Sequence, residues 1–133
     1  MTLEQQVRVW VEQAEYDLRS AASSAANGFD AQCAVSCEQS AEKLLKALWI
    51  YRNKQGPPRD HRIADLAASL GAPSNAVTAA GLLEPDYIAA RYPDAALVTP
   101  YMRYDATASQ DRLQAAKQIA TWVRQKLAEE GWA

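Results

Sequence analysis

The sequence predicts an all-α protein, an antiparallel up-and-down bundle of four to five helices forming one domain over residues 1–133. Apolar residues recur at alternating steps of three and four over long stretches, which draws a single stripe along a helix. Gly and Pro gather at a few points between those stretches, where they end helices. No run alternates apolar and polar residues between hairpin turns, so no strand is predicted. A chain of 133 residues is the size of one domain, and buries about two-thirds of its unfolded surface without needing staples.

In the first segment Val7, Val11, Ala14, Leu18, Ala21 and Ala25 form the stripe, with Leu3 extending it and Trp10 alongside. Asn27-Gly28 ends that helix, because glycine takes left-handed angles without steric penalty. Asp30 is the expected cap of the second helix, with Phe29 as a staple before it. Ala34, Cys37, Ala41, Leu44, Leu45, Leu48 and Trp49 form its buried face, and Glu42 and Lys46 make a favourably ordered i, i+4 pair. Gln55-Gly56-Pro57-Pro58 ends it, since proline has no amide to donate.

A short third helix is expected to start at Asp60 as N-cap, with His61 at its first position and Ile63, Leu66, Ala67 and Leu70 facing inward. Residues 78–90 can form a further helix, weakened by Gly81 and restarted or kinked at Pro85. Tyr92 precedes a proline and is expected to be extended. The last helix is expected from about Thr107 to the end, burying Leu113, Ala116, Ile119, Ala120, Val123 and Leu127.

Composition narrows the function classes. Lys and Arg number 14 against 16 Asp and Glu, for a formal charge of −2. Each half of the chain, 1–60 and 61–133, holds seven basic and eight acidic residues. Bulk charge therefore gives no general affinity for nucleic acid, and phosphate contacts must come from a local cluster. No apolar run is long enough to span a bilayer, and the first residues do not read as a signal peptide. A cytoplasmic protein without a membrane partner is expected. Cys33 and Cys37 lie four apart on one helical face, a spacing unsuited to a disulfide in a relaxed helix. Too few ligands accompany them for zinc, so they read as reduced core thiols, with no metal and no cofactor expected.

Two local features stand out. Arg52, Lys54, Arg59, His61 and Arg62 fall within eleven residues, opposed only by Asp60. Such a cluster at a Pro-rich turn suits phosphate, though its spacing alone reads first as a solvated turn. Arg91-Tyr92-Pro93-Asp94 puts an arginine and an aromatic beside a rigid bend, suited either to a phosphate clamp or to packing under a loop.

Four motifs in order carry a more specific message. Ala14-Glu15-Tyr16-Asp17-Leu18, then Glu38 to Ala47, then Asp60 to Leu66, then Ala90 to Asp94 resemble the HEPN family of small prokaryotic helical proteins, over residues 5–128 or so. The resemblance implies a helical bundle, usually a homodimer. It also implies a minimal nucleotidyltransferase as partner, the two forming a toxin–antitoxin-like pair, and nucleotide or RNA as ligand. Many members of the family are metal-independent ribonucleases carrying R-x(4–6)-H. That spacing is absent here: counting on from Arg91 meets Ala96, Leu97 and Val98, and counting back from His61 meets Lys54, Gln55 and Gly56.

Carried over residue by residue, the resemblance marks Asp17, Glu42, Lys46, His61, Arg91, Tyr92 and Asp94. Lys46, His61, Arg91 and Tyr92 are the expected ligand-binding residues, meeting at one end of the bundle. Asp17, Glu42 and Asp94 are the expected supporting network. The leading expectation is a nucleotide- or RNA-binding, or nucleotidyltransferase-docking, module. The alternatives are an endoribonuclease with His61 and Arg91 as candidate catalytic residues, and a dimerisation scaffold without ligand.

Overall fold

A computed structural model describes residues 1–93 and 99–132, and among them the regular structure is entirely helical. Helix α1 is Leu3–Ala26, α2 Asp30–Asn53, α3 Ile63–Ser69, α4 Ser74–Leu83 and α7 Ala106–Glu129; α5 (Asp86–Ala89) and α6 (Pro100–Arg103) are single turns. Asp94, one of the expected network residues, lies outside the described residues.

Tertiary contacts fix the directions. Asp30 at the start of α2 meets Ser109 at the start of α7, and Arg52 at its end meets Glu130. These two helices therefore run parallel. Trp132 donates to the Glu4 carbonyl, so α1 runs against α7. The start of α4 lies beside Gln125 and its end beside Asp111, so α4 also opposes α7. The bundle is up, down, up, down, with α3 in the crossover.

Helix α2 is the axis, packed mainly on α1 and α7 and buried nearly all round. Its predicted apolar face is buried as expected, as are those of α1 and α7 except for the half-buried Leu3, Leu18, Ala25 and Trp49. All four tryptophans pack in or against this core.

Several local expectations are corrected. Thr2 caps α1, its Oγ1 accepting from Gln5 N while Gln5 Oε1 accepts from Thr2 N at 2.8 Å. Asp30 is not a cap: it is the first residue of α2, and its Oδ1 accepts from Ser109 Oγ at 2.6 Å. Phe29 is 65% exposed and staples nothing. Asp60 is not the N-cap of α3; its carboxylate accepts from Arg62 N at 2.8 Å, and the helix starts three residues later. The first-turn amide of Ala64 instead donates to Glu84 Oε1 at 3.0 Å, since an orphan amide takes whichever acceptor tertiary packing brings. His61 consequently sits in the connecting loop, free of helical constraint. The helix expected from residue 78 begins at Ser74, with Pro85 separating it from α5.

Candidate functional site

The polar residues of interest converge on the flank of α2, not at one end of the bundle as the sequence suggested. Glu38, Glu42 and Lys46 follow one another at single-turn spacing along that flank. From Lys54 the connection doubles back along about 18 Å of helix, at 1.5 Å per residue, before reaching His61 beside Glu42. The Pro-rich segment makes this return possible, because it cannot continue as helix.

Glu42, only 6% exposed, is the hub. Its Oε2 accepts from Lys46 Nζ at 3.2 Å, and its Oε1 bonds His61 Nδ1 at 2.8 Å. Lys46 is 4% exposed. Pairing holds both charges inside, since an unpaired buried charge is strongly disfavoured. The bond to a buried carboxylate places the His61 proton on Nδ1 and leaves Nε2 to face other partners. His61 stacks on Tyr87 with ring centroids 3.8 Å apart, and the Arg91 guanidinium lies 4.7 Å from the Tyr87 centroid. Tyr87 thus joins the histidine to the arginine, and a cation near an aromatic face is attracted by the ring quadrupole.

Of the expected ligand-binding residues, the structure links Lys46, His61 and Arg91 through Glu42 and Tyr87. Tyr92 is 51% exposed beside Arg91. Asp17 is elsewhere: its carboxylate bonds Lys43 and Gln13 at the junction of α1 and α2. The basic cluster around the turn separates by role. Arg52 makes a bidentate pair with Glu130 and bonds the Leu70 carbonyl at 2.6 Å, so it ties helix ends together. Arg62 pairs with Asp60, whose carboxyl is held down to about 2 chiefly by that hydrogen bond. Arg59, His61, Arg62 and Tyr87 then line an open cleft of about 560 Å³ with Glu84 and Ile88.

Two parts of the arrangement were not singled out from sequence. Glu38 is wholly buried, and its Oε1 accepts from Gln39 Nε2 at 2.7 Å. Its i, i+4 relation to Glu42 was the available signal. A second buried network anchors α5: Asp86, 2% exposed, accepts from Tyr104 OH at 2.6 Å and from Arg112 Nε at 2.9 Å. Burial and the Asp86 bond push the Tyr104 hydroxyl up. This network joins α5, α6 and α7 and seats Tyr87 next to it; no local pattern announces partners that far apart in sequence.

Residues 7–126 match the HEPN domain family. Two solved structures are similar over nearly their whole length. One is TT1696 from Thermus thermophilus, 34% identical with a TM-score of 0.83, covering 92% of this chain and 98% of that one. The other is ST0689, an archaeal HEPN homologue, 28% identical with a TM-score of 0.79, covering 91% of this chain and 97% of that one. No functionally curated protein matches the sequence.

Proposed function

The chain belongs to the HEPN domain family, and from that premise we propose that it is a binding module for the phosphates of a nucleotide or RNA. The observation that carries this reading is the continuous run of contacts from Lys46 through Glu42, His61 and Tyr87 to Arg91. Along this run Glu42 stands against Lys46 and Arg91, while in the adjoining cleft Arg59 and Arg62 are matched by Asp60 and Glu84. The excess positive charge suits an anion, and an arginine fork suits a phosphate in particular. Tyr92, half-exposed beside Arg91, is suited to stack on a base.

The partners that fit this reading are a second copy of the chain and a minimal nucleotidyltransferase, in a toxin–antitoxin-like pair. Ile88, Tyr92, Tyr101 and Met102 are large apolar or aromatic side chains left exposed on or near α5 and α6, surface that a partner would bury. Sedimentation at tens of micromolar giving a monomer would remove the homodimer.

A second reading, metal-independent endoribonuclease, is favoured by the Glu42–His61 bond alone. A histidine fixed in one tautomer by a buried carboxylate has its other nitrogen available for proton transfer. Arg91 would then steady the phosphate. One titration tests both readings: wild type, Arg91→Lys and His61→Ala with AMP and short single-stranded RNA, with and without chelator. Arg91→Lys keeps the charge but loses the fork, so binding weakens if the contact is bidentate. RNA cleavage that survives chelator and is lost in His61→Ala selects the enzyme. Equal binding by all three proteins sinks the site.

A further inference from the structure

Glu38 lies one turn before Glu42 on the α2 flank with no exposure, and one of its carboxyl oxygens, Oε2, has no hydrogen-bond partner. No ion pair reaches Glu38 among the described residues, and residues 94–98 contain no cation by sequence. The cation on the same flank of its own helix, Lys46, is spent on Glu42. On the other side, the Nε of Arg91 is also buried without a partner. The Arg91 charge reaches Glu38, so an acid and a cation stand within electrostatic range, each with an unused polar atom.

The charges that reach Glu38 are Glu42 on its own helix and Arg91 beyond α5; Lys46 and His61 pair with Glu42, and Tyr87 joins His61 to Arg91. The charges of the paired Asp86 and Arg112 reach the neighbouring Cys37, and the paired Asp17 and Lys43 lie toward α1. An unpaired carboxylate in such a place is strongly disfavoured, and two carboxyls sharing one site do not ionise together readily.

We propose, resting on the phosphate-binding reading above, that Glu38 is a proton-controlled switch on that site: neutral, it leaves the cluster cationic and competent for an anion; ionised, it takes Arg91 as counter-ion and closes the site. The charge count supports this directly. With Glu38 neutral, Glu42 offsets one of the two cations Lys46 and Arg91, and a single positive charge remains before His61 contributes. With Glu38 ionised that charge is gone. Burial chiefly, and then the neighbouring Glu42, push the Glu38 carboxyl up to about 8, against the opposing pull of the Gln39 hydrogen bond and the Arg91 charge. The switch therefore operates on the alkaline side of neutrality. A bound anion favours the protonated form, so one proton is linked to binding, and affinity falls by at most about tenfold per pH unit above the transition.

The test uses the whole chain and a short oligoadenylate carrying a pH-insensitive dye, read by fluorescence anisotropy from pH 7 to 9.5 at constant ionic strength. Wild type is expected to lose affinity above about pH 8. Glu38→Gln, which keeps the shape and cannot ionise, is expected to match wild type at pH 7 and to stay flat above pH 8. In wild type itself, the Glu38 carboxyl followed by ¹³C NMR is expected to titrate near pH 8, a reading that does not depend on the variant folding. Titration of that carboxyl in the ordinary glutamate range overturns the switch, as does an alkaline loss of affinity shared equally by Glu38→Gln. Binding by wild type that ignores pH overturns the switch alone. Absence of binding at pH 7 overturns the phosphate reading, and the switch with it.

Discussion

Replacing Glu42 with leucine strands the Lys46 ammonium, which is 4% exposed and bonds Glu42 at 3.2 Å. Removing one partner of a buried pair costs about 3–5 kcal/mol, because the remaining charge is left without compensation. The chemistry of lysine sets a ceiling. An ordinary lysine holds its proton to about pH 10.4, so shedding it at pH 7 costs about 4.6 kcal/mol at 1.36 kcal/mol per pH unit. Once the burial penalty exceeds that figure, the side chain simply becomes neutral. His61 adds little to the loss, since its side chain is 43% exposed and water replaces the carboxylate.

A pH signature follows. Above about pH 8, where that ceiling falls below a penalty of about 3 kcal/mol, the unfolded Glu42→Leu chain holds a proton at Lys46 that the folded chain has shed. The loss relative to wild type therefore shrinks as pH rises, the ceiling falling to about 1.9 kcal/mol at pH 9. Adding Lys46→Met removes the stranded charge, and the double variant is expected to recover most or all of the loss, as apolar replacement of buried pairs often does. Urea unfolding of wild type, both single variants and the double variant, by far-UV circular dichroism at one protein concentration, measures the coupling. An interaction term of about 3 kcal/mol is expected, within the range for residues in contact. A single-variant loss below about 1 kcal/mol, or two changes that merely add, would show that the pair is solvated and refute the stranded charge.

Other consequences are simpler. Leu45 is fully buried on α2, so Leu45→Ala costs about 2–5 kcal/mol in the same unfolding assay; a change within error would mean that the apolar face is misassigned. Cys33 and Cys37 lie with their sulfurs 3.9 Å apart, both fully buried. The Cys37 hydrogen bond holds the Cys33 thiol down to about 7, and the same contact pushes Cys37 up. Thiolate character promotes attack only where reagent reaches the sulfur. Ellman's reagent is therefore expected to find no thiol in the native protein and two in denaturant, and immediate native reaction of either would refute the packing.

The residues of this site divide by the range of the interactions that place them. Glu42 and Lys46 were legible as a pair because an i, i+4 relation is local to one helix. His61 and Arg91 were marked by family motifs, and Asp17 by the same route, yet Asp17 bonds Lys43 across α1 and α2 while His61 joins Glu42. Nothing in the local sequence around either residue names its partner, and only packing decides which neighbour each meets. Tyr87, the ring that connects His61 to Arg91, had an i, i+4 relation to Arg91 but nothing to distinguish it from any aromatic on a short helix.

By itself the sequence determined the helical class, the apolar faces of α1, α2 and α7, and the breaks at Gly28 and at Pro57-Pro58, because periodicity and backbone restriction act between near neighbours. Tertiary structure alone decided that Asp30 and Asp60 would not cap, that Glu84 would serve α3 from twenty residues away, and that the site would lie on the flank of α2. It also decided that Glu38 is buried with one carboxyl oxygen unpartnered. A carboxyl's charge depends on what surrounds it in three dimensions, and burial without a cation is a property of the packed bundle that no spacing along the chain encodes.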